Sequence, residues 1–109
     1  MSNYQIDNEA LKIKGIFTTS ACPVQAEGFV DRLPFYFRAR WDEWRMTIVL
    51  VPGDDPVDPK HESFTREGVF GDGEFDASWM PLEEARRLID ACANEFLHAQ
   101  DELNEERQR

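Results

Sequence analysis

The sequence has few of the features that cross-link a chain, anchor it in a membrane or export it. Only two of its 109 residues are cysteines, Cys22 and Cys92, and they are too few and too far apart to indicate a disulfide framework. The longest aliphatic run, residues 48–51, is far shorter than the roughly 20 residues that span a bilayer. The first seven residues contain neither a basic nor an apolar segment, so no signal peptide is expected. These absences predict a cytoplasmic protein with reduced thiols and no membrane segment.

Residues with catalytic or cofactor chemistry are scarce as well. There are two histidines, and no Ser/His/Asp or Cys/His motif brings a nucleophile near either of them. The six glycines are scattered and do not form a phosphate-binding loop. Residues 72–83 carry carboxylates at several spacings of a calcium loop, but alanine stands where that loop needs glycine. We therefore predict no catalytic residues, no cofactor and no metal site.

Basic residues are under-represented in the second half of the chain. Residues 1–53 hold six acids and six bases, whereas residues 54–109 hold sixteen acids and six bases, so the second half carries the whole net charge of −10. A field of this sign repels nucleic-acid phosphates and anionic membranes and attracts basic molecules. Direct nucleic-acid binding and membrane binding are therefore not expected, whereas a protein partner with a basic surface is.

An alternation of apolar and polar residues with period two runs from residue 24 to residue 51 and is typical of half-buried strands. With two-residue turns at residues 32–33 and 42–43, every inward-facing pair of the three strands is apolar or glycine. Residues 11–18 read as one more strand before these three. The sequence thus predicts an antiparallel β-meander over about residues 11–51.

A long amphipathic helix is predicted over about residues 81–105. Pro81 suits the first turn, and Glu83 and Glu84 suit the positive end of the helix dipole. Apolar residues then recur three and four positions apart: Leu82, Ala85, Ile89, Cys92, Phe96, Ala99 and Leu103. We expect this stripe to cover the sheet, with a homodimer through the helix as the alternative.

Residues 52–76, between the predicted sheet and helix, form an acidic connection rich in Pro, Gly and Asp. A structureless loop of this length is uncommon in a compact domain. We therefore expect either a short edge strand at residues 64–70 or a functional surface. The acids of that candidate surface are Asp54, Asp55, Asp58, Glu62, Glu67, Asp72, Glu74 and Asp76.

These elements together predict one α+β domain, residues 1–109. An antiparallel β-meander of four to five strands packs against one long C-terminal helix, and the acidic connection links the two. A chain of this length can bury roughly two-thirds of its unfolded surface, which suffices for one core.

The outward-facing side chains of the meander form a second candidate surface. They include a binding patch of residue types that dominate binding hot spots: Phe29, Tyr36, Arg38, Arg40 and Arg45. In the predicted register Arg40 lies opposite Arg45, which is unfavourable unless an anionic group lies nearby. The alternative is that the arginine stems simply cover the sheet, or that the acidic connection folds over them.

Three segments of the meander carry a resemblance: residues 22–28 (CPVQAEG), residues 34–41 (PFYFRARW) and Trp44. They resemble segments of small uncharacterised bacterial proteins that are scattered among phages and other mobile elements. The resemblance implies the meander and a bacterial or phage cytosolic setting. It implies no activity and no catalytic residue.

Three functional hypotheses follow. The first is a non-enzymatic protein–protein interaction module from a bacterial mobile element, in one form an acidic inhibitor or decoy of a basic host protein surface. The second is a small-molecule-binding or enzymatic domain with a pocket between sheet and helix, lined by Trp41, Trp44 and Trp79. The third is a structural homodimer through the C-terminal helix.

Overall fold

The computed structural model describes residues 5–58 and 62–107, with side chains up to residue 102. These residues form one antiparallel sheet of six strands and a long C-terminal helix, an α+β fold. The strands pair in chain order: β1 (Gln5–Asn8), β2 (Ile13–Ser20), β3 (Val24–Val30), β4 (Leu33–Arg40), β5 (Glu43–Val49) and β6 (Ser63–Val69). The helix is α1 (Leu82–Arg107), and short 3-10 turns at Glu9–Leu11 and Ala77–Trp79 precede β2 and α1.

The sheet has more strands than the four to five that the sequence predicts. The edge strand expected at residues 64–70 is present as β6 and pairs with β5 along seven residues. The strand that was missed is β1, which contains a single strongly apolar residue, Ile6. Burial of Ile6 depends on pairing with β2, and a four-residue segment has too short a pattern to predict that pairing.

Both central hairpins turn one residue earlier than predicted, at residues 31–32 and 41–42. Phe35 consequently pairs with Gly28 and Ile48, two residues away from the predicted partners. The first turn is set by Asp31 and Arg32, whose φ angles are 49° and 69°, as two-residue hairpins require for the natural twist of the strands. Because side chains alternate with period two, a shift of two residues leaves the same side chains facing inward.

The core lies between the inner face of the sheet and α1. Four residues of the predicted stripe, Ala85, Ile89, Cys92 and Phe96, are buried together with Ala93. The helix crosses the sheet from β1, where Arg86 donates a hydrogen bond to the Asp7 carbonyl, to β6, where Phe96 meets the Phe64 ring. The prediction that the stripe covers the sheet is therefore confirmed for these four residues, and they are not free to form a dimer seam. Ala99 is half-buried, and the Leu103 side chain lies outside the described residues.

The three tryptophans predicted to line a pocket between sheet and helix do not come together there, and only Trp44 packs against the core. Trp44 stacks on Phe37 with 6.2 Å between ring centroids, whereas Trp41 and Trp79 are more exposed than buried. Their exposure results from their position in the connections at one end of the sheet.

Candidate functional site

Three aromatic side chains are exposed at the end of the sheet where the β4–β5 turn meets the connection from β6 to α1. Trp41 is 52% exposed, Phe75 58% and Trp79 65%. Trp41 and Phe75 line one small cavity of about 290 Å³ together with Asp42 and Glu74. We call Trp41, Phe75 and Trp79 the aromatic end. Large exposed aromatic side chains on neighbouring loops mark a candidate interaction surface.

The backbone of the aromatic end is held together by Ser78, which is only 5% exposed. Its hydroxyl accepts a hydrogen bond from the Trp41 N–H at 2.7 Å. Its own N–H donates to the Trp41 carbonyl, as does the N–H of Ala77 at 2.6 Å. The Ser78 carbonyl accepts from the Cys22 N–H at 2.7 Å. The hydrogen bonds of one buried serine therefore connect three segments: the β2–β3 connection, the β4–β5 turn and the segment before α1.

Trp41 has a backbone conformation that bulky residues rarely adopt. Its φ angle is 58°, in the left-handed region, where a non-glycine residue costs of order 1–3 kcal/mol unless its surroundings hold it. The hydrogen bonds with Ser78 and Ala77 stabilise this conformation of Trp41. The Arg40 guanidinium lies 4.3 Å from the centroid of the Trp41 ring, a cation–π distance. Hydrogen bonds to the Trp41 backbone and the Arg40 contact with its ring therefore orient this side chain.

The loop that carries Glu74 and Phe75 is braced by Asp76. The Asp76 carboxylate accepts hydrogen bonds from the N–H groups of Asp72 and Gly73, at 2.9 and 3.0 Å. A side chain on Gly71, whose φ angle is 79°, would overlap that carboxylate. In residues 5–58 and 62–102, no three His, Cys, Asp or Glu side chains lie close enough to hold a metal ion. The Asp76 carboxylate, one of those with calcium-loop spacing, therefore stabilises the loop in which it lies.

The acids predicted as one surface are divided by β6. Asp54, Asp55, Asp58 and Glu62 precede the strand, whereas Asp72, Glu74 and Asp76 follow it. A strand of seven residues separates the two groups by roughly 20 Å. The acids of the predicted surface therefore form two groups, because the edge strand that the sequence allowed at residues 64–70 lies between them. The group that follows β6 adjoins the aromatic end, and it shares that region with Asp42.

Four of the five residues of the predicted binding patch line one cleft on the outer face of the sheet. The cleft has a volume of about 790 Å³ and lies over β4, β5 and β6, and the loop after β5 contributes Pro56 and Val57. We call it the arginine cleft. The patch residues in it are Tyr36, Arg38, Arg40 and Arg45. Phe29 lies on β3, is exposed, and is not part of the cleft lining.

The arginines are arranged differently from the prediction because of the two-residue shift in register. Arg38, and not Arg40, lies opposite Arg45, while Arg40 lies opposite Glu43. The Arg45 guanidinium forms an ion pair of 2.7 Å with Glu67 of β6. The acidic connection thus supplies one counter-ion to the patch, as the alternative interpretation expected.

Arg38 and Arg40 remain without a carboxylate. Within the described residues neither has an ion pair, and Arg40 contacts the Trp41 ring instead. The Nε of Arg38 is buried and has no hydrogen-bond acceptor among those residues. Buried donors without an acceptor are rare because each costs its lost hydration. Arg38 and Arg40 therefore bring to the arginine cleft two positive charges that have no ion pair within the described residues.

Comparison of the chain with protein-family models, with curated proteins and with solved structures gave no match. Of the helices in the described part of the chain, none is both long enough and apolar enough to cross a membrane.

Sequence reasoning found the arginines but missed the role of Ser78. No local pattern marks a serine between Ala77 and Trp79 as buried, since its partners Trp41 and Cys22 are distant in sequence.

The two cysteines differ in environment. Cys22 is exposed, whereas Cys92 of α1 is buried in the core, and burial raises the pKa of the Cys92 thiol to about 11. Because the thiolate is the reactive form, we expect iodoacetamide at pH 8 to modify Cys22 in the folded protein and Cys92 only after unfolding. Mass spectrometry of the native and denatured protein measures this. Equal labelling of both thiols in the native protein would contradict the buried position of Cys92.

Proposed function

We propose that the protein is a non-enzymatic protein-binding module that docks a basic partner through the aromatic end. The observation that carries the proposal is the exposure of Trp41, Phe75 and Trp79 on a backbone that Ser78 holds in place. Tryptophan and other aromatic residues dominate the energetics of interfaces. When such side chains are already ordered, less conformational entropy is lost on binding.

The charge around the aromatic end supports a basic partner. Asp42 and Glu74 line the cavity beside Trp41 and Phe75, and Asp72 and Asp76 lie in the same loop. Acids that flank an aromatic patch steer a positively charged surface toward it and disfavour anionic ones. The proposal retains the setting expected from the sequence, a cytoplasmic inhibitor or decoy from a bacterial mobile element that occupies a basic host protein surface.

The proposal is tested by affinity capture from bacterial lysate with three versions of the full chain. We expect the wild-type protein to retain a basic partner at low salt and to release it at about 0.5 M salt, where charge attraction is screened. The double variant Phe75→Ala, Trp79→Ala is expected to lose that partner, because it lacks two of the three exposed rings.

Phe29→Ala is the matched control for this capture. It removes an aromatic side chain of similar exposure, 52%, from the outer face of β3, outside the aromatic end. We expect it to retain the partner as the wild-type protein does. Equal retention by Phe75→Ala, Trp79→Ala would show that the partner binds elsewhere, and loss by Phe29→Ala alone would place the interface on the outer face.

A further inference from the structure

We propose that the arginine cleft binds a small organic anion, a molecule that carries a carboxylate or a phosphate beside a flat ring. The site shares Trp41 with the aromatic end, but its charged groups, Arg38 and Arg40, lie on the outer face of the sheet. The inference therefore does not depend on the proposed protein-binding function.

The cleft has the size and construction of a small-molecule site. Its volume of about 790 Å³ lies within the range of roughly 300–1,000 Å³ that such sites occupy. Strand residues Tyr36, Arg38 and Thr47 form its floor, and Pro56 and Val57 of the loop after β5 form part of its wall. Thr47 is 8% exposed although it points to the outer side of the sheet. The cleft is therefore shielded from solvent at Thr47, whereas Tyr36 and Arg38 are half-buried.

The charge of the cleft selects an anion and limits its size. Arg45 is neutralised by Glu67 at 2.7 Å, whereas Arg38 and Arg40 have no carboxylate partner in the described part of the chain. A carboxylate or phosphate can accept two parallel hydrogen bonds from the edge of a guanidinium, and both arginines line the cleft. Glu43 and Glu67 also line the cleft with Arg38, Arg40 and Arg45, so these side chains leave a single net positive charge, which suits one anionic group better than an extended polyanion such as nucleic acid. A small molecule with one anionic group fits this arrangement.

We infer a ring in the proposed ligand because the Trp41 side chain offers an aromatic surface for stacking. Its side chain lines the cleft beside Arg40, and the Arg40 guanidinium lies over it at 4.3 Å. With its backbone fixed by Ser78, Trp41 provides an ordered aromatic surface next to the anion-binding groups. Aromatic rings pair in offset-stacked or edge-to-face geometry and gain free energy beyond the area that they bury.

The experiment is a titration of the full chain followed by two-dimensional NMR with three probes: adenosine 5′-monophosphate, benzoate and inorganic phosphate. We expect at least one ring-bearing probe to saturate, with a Kd about tenfold or more below that of inorganic phosphate, as one added stacking contact of 1–3 kcal/mol implies. The shifted resonances should include the backbone amides of β4 and β5. Which ring-bearing probe binds distinguishes a phosphate ligand from a carboxylate ligand.

Arg38→Gln and Arg40→Gln test whether the two unpaired arginines bind the probe. Each is expected to weaken binding about tenfold or more, because a hydrogen bond to a charged group contributes about 1.5–3 kcal/mol. Arg87→Gln is the matched control, since Arg87 is paired with Glu84 on α1 and lies outside the cleft lining. The exposed Arg40 provides a variant that should fold even if Arg38→Gln does not.

Three results would overturn the proposal. The first is no saturable shift with either ring-bearing probe up to about 10 mM, a concentration that corresponds to negligible affinity. The second is binding of inorganic phosphate as tight as that of the ring-bearing probes, which would contradict the role of Trp41. The third is equal binding by Arg40→Gln and Arg87→Gln.

Discussion

Replacing Gly28 with alanine will lower the free energy of unfolding by about 3 kcal/mol, the upper part of the usual range for overpacking a core. Gly28 of β3 pairs with Gly15 of β2. An added Cβ at Gly28 would overlap the Lys14 carbonyl oxygen and the Gly15 Cα. These are backbone atoms, so they can move only if β2 and β3 separate locally.

The pair of glycines also makes room for Phe35, which is fully buried. A Cβ on Gly15 would lie 3.1 Å from the Phe35 ring, which shows that the ring packs directly over the glycine backbone. The register in which Phe35 lies opposite Gly28 therefore depends on small residues at both positions. Urea unfolding of the Gly28→Ala protein measures the loss of stability.

Gly53→Ala is the control for this substitution. Gly53 has a φ angle of 86° and nothing within 4 Å of the position of its Cβ. The control therefore introduces backbone strain, about 1–2 kcal/mol, without a steric overlap. A Gly28→Ala protein no less stable than Gly53→Ala would contradict the close approach of β2 and β3.

Replacing Ser78 with alanine will destabilise the protein by about 1–3 kcal/mol, the cost of leaving a buried donor without its acceptor. The donor is the Trp41 N–H, which donates a hydrogen bond of 2.7 Å to the Ser78 hydroxyl. With that bond gone, the left-handed conformation of Trp41 keeps only the hydrogen bonds to its carbonyl from Ala77 and Ser78. The backbone of the aromatic end should then open more often than the rest of the sheet.

Amide hydrogen exchange locates this effect. We expect faster exchange at Trp41 and Ala77 in the Ser78→Ala protein, with little change in the β2–β3 ladder, because local opening precedes global unfolding. Ser63→Ala is the control, since within the described residues the Ser63 hydroxyl contacts just the Thr65 hydroxyl, at 3.5 Å. Unchanged exchange at Trp41 would mean that Ser78 does not hold the turn.

The architecture was predictable from the sequence to the extent that it depends on periodicity. An error of two residues in register leaves most side chains of the meander on the predicted face, whereas Trp41, which the predicted register places on the inner face, is 52% exposed. The predicted positions of the two turns were wrong because those positions depend on positive φ angles at Asp31, Arg32 and Trp41. For Trp41 that conformation is supported by Ser78, which is 37 residues away, so no local pattern contains it.

The candidate surfaces were predictable in part for the same reason. Alternation placed Tyr36, Arg38, Arg40 and Arg45 on one face, and the structure brings these four into one cleft. The alternation indicates which side chains lie on the same face of the sheet but not which of them lie close together. The predicted patch therefore also included Phe29. The aromatic end depends on connections, whose paths follow from tertiary hydrogen bonds more than from any repeat in the sequence.

The most direct test of the account is hydrogen exchange of the protein alone and in complex with the basic partner captured from lysate. The account predicts new protection at residues 41–42 and 70–79, the segments that form the aromatic end, and little change along the exposed side of α1. Protection confined to α1 or to β1, with residues 70–79 exchanging as in the free protein, would contradict it.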